Sequence, residues 1–136
     1  MFAEENYLCP LCQHTLIFAD KTYRCDNSHN FDQAKQGYVN LLPVQFKHSK
    51  TPGDSKEMVI ARRAFLDKGF YQPLIDNLLA IFKKHGAQSK PVLDAGCGEG
   101  FYTHQFKTTT NSVYGVDISK EMIKIAAKRY KECHFS

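Results

Sequence analysis

Four residues near the amino terminus have the types and spacing of a metal site. Two residues separate Cys9 from Cys12, twelve then intervene before Cys25, and three more separate Cys25 from His29. A Cys-x-x-Cys turn puts two thiolates on one side of a tight knuckle, and the Cys-x-x-x-His turn supplies the other two donors. Three thiolates and one imidazole close a tetrahedral shell, and sulfur and nitrogen donors point to zinc over calcium or magnesium. A redox role for Cys9 and Cys12 would leave Cys25 and His29 unexplained. His14 lies inside the loop as a competing donor, but the knuckle spacing selects His29. The expected zinc is structural, since no open coordination position remains.

A second group lies far along the chain. The apolar run Pro91 to Ala95, which carries Asp94, leads directly into Gly96-Cys97-Gly98-Glu99-Gly100. Glycines without Cβ atoms let backbone adopt unusual dihedrals and approach a ligand closely. Another apolar run, Ser112 to Val116, ends in Asp117, 21 residues after Gly96. A carboxylate at that distance suits both ribose hydroxyls of an adenosine, so a nucleoside cofactor is expected.

These residues need elements to position them. Leu16 to Phe18, a turn at Ala19 to Lys21, and Thr22 to Arg24 predict a short hairpin between the knuckles. Phe31 to Pro43 reads as an ordered extension, with a turn at Gly37 and a strand or apolar anchor over Val39 to Leu42. Lys47 to Gly53 is polar, ends in Pro-Gly, and reads as a loop. Asp54 with Glu57 resembles an N-cap and capping box for a helix running to about Asp67, with Met58, Ala61 and Phe65 on one face. A second helix starts near Pro73 and ends at Gly86, with a stripe of Leu74, Ile75, Leu78, Leu79 and Phe82. After the glycine loop come a helix through Phe101 to Phe106 and the strand ending at Asp117. A helix capped by Ser119 then turns Met122, Ile123, Ala126 and Tyr130 inward, and a third strand begins at Cys133 to Ser136. Strand, glycine loop, helix, strand, helix is the opening of a Rossmann-like parallel sheet. The fold class is therefore α/β, with a zinc-ribbon-like module in front.

Composition adds limits. The chain has 136 residues, is 43% hydrophobic and 24% charged, and lacks tryptophan. No run approaches the roughly 18 apolar residues of a membrane helix. The start, Met1 to Glu5, has neither a basic nor an apolar leader region, so a signal peptide is not expected and the cytoplasm is the default. Five cysteines, an odd number, argue against a disulfide framework. The net charge of +4 is concentrated in residues 54–90, which carry +3. That excess is compatible with a polyanion, although Arg62 and Arg63 read as solvated helix charges rather than phosphate ligands. A zinc module of about 40 residues is too small for a sufficient core, so metal supplies much of its folding energy.

The glycine loop has the spacing GxGxG rather than the GxGxxG of dinucleotide sites, and Val92-Leu93-Asp94-Ala95-Gly96-Cys97-Gly98-Glu99-Gly100 resembles the first motif of class I S-adenosylmethionine-dependent methyltransferases. The Cys₃His knuckles, Gly37-Tyr38-Val39-Asn40-Leu41-Leu42-Pro43, Pro52-Gly53-Asp54-Ser55, Ala61-Arg62-Arg63-Ala64-Phe65-Leu66 and the glycine loop occur in order. Together they resemble the bacterial 23S rRNA (guanine-N1)-methyltransferases. That resemblance spans essentially the whole chain. It implies that Cys9, Cys12, Cys25 and His29 bind zinc and help recognise an rRNA hairpin. It also implies that Tyr71, Glu99 and Gly100 lie at the cofactor beside Gly96, Gly98 and Asp117, with Asp94 orienting the loop or meeting the cofactor's ammonium end. A homodimer is a further implication. No residue identifies itself as the acceptor of the guanine N1 proton, so the catalytic residue is unknown from sequence.

The expected organisation is a zinc module over 1–45, connecting helices over 46–90, and the first half of a methyltransferase domain over 91–136. A doubly wound methyltransferase sheet usually has about seven strands, and this sequence reaches the third. A fragment lacking part of the catalytic domain is therefore expected, one that binds zinc with weak or no methyl transfer. Two alternatives stand beside it: a non-catalytic zinc-ribbon RNA-binding protein with a Rossmann remnant, and a nicotinamide-dependent oxidoreductase.

Overall fold

The computed structural model describes residues 7–47 and 53–136. The expected loop at Lys47 to Gly53 falls largely outside them, as does the leader reading of Met1 to Glu5. The first three strands, β1 (Ile17–Ala19), β2 (Thr22–Arg24) and β3 (Asn30–Asp32), form an antiparallel sheet in that order. The β1–β2 hairpin turns at Asp20 and Lys21, both with positive φ, where the sequence placed the turn. β3 overlaps the start of the stretch read as an ordered extension and pairs Phe31 with Tyr23. Gly37, at φ +99°, closes the next turn, in which Ala34 N–H donates to Tyr38 O at 2.8 Å. Of the strand or apolar anchor expected over Val39 to Leu42, it is the anchor that forms, without a strand. Val39 instead makes an isolated bridge with Gln33 and anchors the segment by burial.

Helix α1 (Lys56–Leu66) begins one residue later than expected. Ser55, not Asp54, is the N-cap: its Oγ accepts from Met58 N–H at 3.3 Å, which satisfies one of the unpaired amides of the first turn. Asp54 instead pairs with Arg62 at 3.1 Å. The face is also shifted. Val59 and Leu66 are buried, while Met58 and Phe65 are exposed. Helix α2 (Gln72–Lys84) carries Pro73 in its first turn, buries Ile75, and packs Leu78, Leu79 and Phe82 against the main core; Leu74 is exposed.

The second sheet is parallel, in the order β4 (Val92–Ala95), β5 (Val113–Val116), β6 (His134–Phe135). Helix α3 (Phe101–Gln105) connects β4 to β5, and α4 (Lys120–Arg129) connects β5 to β6. Ser119 caps α4, accepting from Met122 N–H at 3.4 Å, and Met122, Ile123, Ala126, Ala127 and Tyr130 are buried. This is the opening of a Rossmann-like sheet, behind a zinc-ribbon module.

Each sheet has its own apolar cluster, and each cluster takes one tyrosine from the other. Tyr38, from the ribbon, sits in the cluster of Val92, Val113, Ile123 and Phe135. Tyr114, from β5, joins Tyr7, Leu16 and Tyr23 around the ribbon. Tyr7 meets Tyr23 and Tyr114 edge-on at centroid distances of 5.4 and 5.5 Å. Val39 N–H donates to Phe135 O at 3.1 Å, so ribbon backbone also bonds to β6.

Candidate functional site: a metal knuckle pair and a glycine loop

The two knuckles are built alike. In the first, Gln13 N–H donates to Cys9 O and Cys9 N–H to His14 O, both at 2.8 Å. In the second, Ser28 N–H donates to Cys25 O at 3.0 Å and Cys25 N–H to His29 O at 3.2 Å. Each turn passes through a non-glycine residue at φ +64°, Gln13 and Ser28, a conformation that needs surrounding support. The result aims four ligand atoms at one point. Cys9 Sγ and Cys25 Sγ each lie 3.4 Å from His29 Nδ1, Cys12 Sγ lies 3.6 Å from Cys25 Sγ, and all four atoms fall within 4.8 Å of one another. A tetrahedron with Zn–S of about 2.3 Å and Zn–N of about 2.0 Å has edges of about 3.5–3.8 Å, so the donor set fits zinc. Nδ1 is the nitrogen presented, which spacing alone does not reveal. The His14 side chain is outside the cluster, and the residue contributes backbone only. Thiolate is the ligating form. The Cys12 thiol is lowered to about 6, chiefly by the backbone N–H of His14, whereas burial raises Cys9.

The glycine loop sits between β4 and α3, beyond the carboxyl end of its strand, where open α/β sheets bind ligands. Gly96, Gly98 and Gly100 have φ of +81°, +56° and +83°. They do different work. A Cβ on Gly96 would meet nothing within 4 Å, whereas one on Gly100 would lie 3.0 Å from the rings of Phe135 and Tyr130. Gly100 therefore lets the loop pack on α4 and β6. Asp117, at the end of β5, accepts from Gly98 N–H at 2.9 Å through Oδ2 and from Ser119 N–H at 2.8 Å through Oδ1. One carboxylate thus pins both the loop and the start of α4, and each oxygen keeps a second acceptor position. Asp94 accepts from Thr103 Oγ at 2.7 Å, which ties β4 to α3.

A cavity of about 1280 Å³ opens beside these strand ends, with Gly96, Asp117, Val116 and Leu93 on one side and Leu41 and Gly53 on the other. Of the residues expected at a cofactor, Gly96 and Asp117 line it. Tyr71 lies elsewhere, at the start of α2, half-exposed and edge-on to Phe65 at 5.7 Å. Glu99 is buried, and its Oε2 accepts from Arg63 Nε at 2.6 Å. Arg63 is thus not the solvated charge that its sequence context suggested. Nothing in helix periodicity could have found a contact 36 residues away. Thr103, the partner of Asp94, was missed for the same reason. Cys97 packs against Gly115 and is shielded from solvent; burial first, then Asp94 and Asp117, push its thiol to about 12.

Comparison with known proteins agrees with both halves. The zinc-ribbon family described as "RlmA, N-terminal" matches residues 7–50, and a methyltransferase domain family matches residues 86–136. A 23S rRNA (guanine(748)-N(1))-methyltransferase of Streptomyces fradiae is 36% identical over 126 residues, covering 90% of this chain and 44% of the relative. Two relatives carry the same type of name provisionally. One, from Micromonospora griseorubida, is 32% identical over 90% of this chain and 47% of its own. The other, YxjB of Bacillus subtilis (strain 168), is 31% identical over 93% and 47%. The chain spans about half the length of the curated relatives it matches. The ribbon match and the Cys₃His cluster make the metal zinc, and the methyltransferase domain implies S-adenosyl-L-methionine. Over 90% of its length the chain is similar to 23S rRNA guanine-N1-methyltransferases, and it joins an RlmA-type zinc ribbon to the opening of a methyltransferase domain.

Proposed function

We propose that this chain supplies the rRNA-recognising ribbon and the cofactor loop of an enzyme that methylates N1 of a guanine in a 23S rRNA hairpin. The observation that carries the reading is the convergence of Asp117, Gly96 and Gly98 at the ends of β4 and β5, in a chain that also holds a zinc ribbon. Asp117 accepts the ribose hydroxyls through its spare lone pairs. Gly96 leaves open space for the cofactor's approach, and Asp94 and Gly100 hold the loop in place. Glu99 belongs to the site through the loop it anchors, whereas Tyr71, away from the cavity, is tied to the cofactor by the family resemblance alone. When bound, S-adenosylmethionine supplies a methyl group already activated on a sulfonium. The protein's part is to fix the reacting groups in line. The organisation is a ribbon over 1–45, a connector over 46–90 and the cofactor module over 91–136. A cytoplasmic homodimer completes the reading. Among the described residues no helix is long and apolar enough to cross a membrane.

N1 methylation blocks the pairing edge of guanine, so reverse transcriptase stops beside the modified base. Disrupting the gene in its host is expected to remove one such stop from 23S rRNA. Complementation restores it, and a gene carrying Asp117→Ala does not. An unchanged stop pattern after disruption overturns the reading.

A further inference from the structure

We infer that Arg63 is the positioning residue of the glycine loop, tying the loop to α1 through Glu99. The inference rests on the cofactor reading above and adds to it a residue that lies outside the glycine loop, on α1. Glu99 is 2% exposed and stands between two glycines of positive φ, Gly98 and Gly100. Its carboxylate faces Arg63 Nε at 2.6 Å and Arg129 Nη1 at 3.9 Å, while Arg129 Nη2 bonds Asp67 at 3.2 Å. α1, the loop and α4 therefore meet at one buried charge.

Stability alone does not explain this arrangement. A buried ion pair seldom exceeds an apolar pair of the same volume in net stability, because desolvation offsets its attraction. This pair is also not the two-bond fork that satisfies both groups. Among the described residues Glu99 Oε1 and Arg63 Nη2 are buried without a partner. What the contact does fix is position. The preceding residue, Gly98, donates the N–H that holds Asp117 at 2.9 Å, and the following one, Gly100, is wedged against Phe135 and Tyr130. A shift of Glu99 by an ångström moves that N–H relative to Asp117. Arg63 lies in the last turn of α1 and reaches the loop from a separate element, and so sets the loop from outside.

The test uses the zinc-loaded chain with Arg63→Met, Glu99→Gln, the double variant Arg63→Met/Glu99→Met, and Lys56→Met as a control on the same helix. Amide hydrogen exchange at residues 96–100 is read against the β5 amides, together with Tm and calorimetric affinity for S-adenosylhomocysteine. The single variants are expected to speed exchange in the loop and weaken nucleoside binding by about tenfold or more, with β5 amides unchanged and Lys56→Met silent. The double variant, which leaves no unpaired charge, is expected to regain Tm but neither loop protection nor affinity. If Arg63→Met does not fold, the double variant decides. Wild-type loop exchange in Arg63→Met, or a double variant that regains protection and affinity along with Tm, overturns the inference. If the wild-type chain binds no S-adenosylhomocysteine, the cofactor reading fails, and loop exchange alone decides whether Arg63 positions the loop.

Discussion

Cys25 and His14 separate the ligand set from its surroundings. Cys25 Sγ lies within ligand distance of both His29 and Cys12, while His14 offers backbone groups only, its carbonyl to Cys9 N–H and its N–H to the Cys12 thiol. Elemental analysis is expected to show zinc falling from one per chain to near zero in Cys25→Ala and staying at one in His14→Ala. The two cysteines outside the ribbon give a pH prediction. Burial raises the Cys97 thiol from 9.0 to about 12 and the Cys133 thiol to about 11. Both remain thiols in the folded chain at pH 8, so alkylation there is expected only after unfolding. Because the folded values lie above the unfolded one, the stability they contribute is intact below about pH 9 and declines as pH rises between about 9 and 12. Denaturation midpoints measured from pH 8 to 11 check the sign. The four ligands were legible because coordination imposes spacing on the sequence. The Arg63–Glu99 contact was not, since nothing local requires either partner to choose the other.

At the scale of elements, the two glycine turns make a controlled comparison. Gly37 and Gly100 have φ of +99° and +83°, but a Cβ on Gly37 meets nothing within 4 Å while one on Gly100 strikes two rings at 3.0 Å. Gly37→Ala is expected to lose about 1 kcal/mol from backbone strain alone. Gly100→Ala adds overpacking and is expected to lose about 2–4 kcal/mol. Urea denaturation of the two variants measures the difference. Elements with a strong local rule were read well. The β1–β2 hairpin, α2 and α4 lie close to where turn residues, Pro73 and Ser119 placed them. α1 was displaced by one residue because Asp54 and Ser55 are both good caps, and Asp54 pairs instead with Arg62 farther along the same helix. Of the strand or apolar anchor expected over Val39 to Leu42, the anchor formed, for a related reason. The backbone of Val39 is used in a bridge to Gln33 and a bond to Phe135 rather than in a ladder.

The whole molecule is coupled by exchanged tyrosines. Tyr38 enters the core of the parallel sheet and Tyr114 enters the core of the ribbon, with Tyr7 between Tyr23 and Tyr114. Metal removal is expected to act beyond the ribbon, because a module this small depends on zinc for its fold. Chelation is expected to lower the Tm of the parallel-sheet part as well, and Tyr114→Ala to weaken that coupling. A calorimetric scan in which only a small ribbon transition disappears would contradict it. This coupling could not be read from two motifs about 70 residues apart, each of which names its own chemistry and neither its neighbour. The central claim is the nature of the cofactor site at Asp117 and the glycine loop. Isothermal titration of the zinc-loaded chain with S-adenosylmethionine and with NADH tests it most directly. Saturable binding of S-adenosylmethionine, weakened at least about tenfold in Asp117→Ala, with no binding of NADH, is the expected result. Equal affinity for NADH, or S-adenosylmethionine binding untouched by Asp117→Ala, would contradict the account.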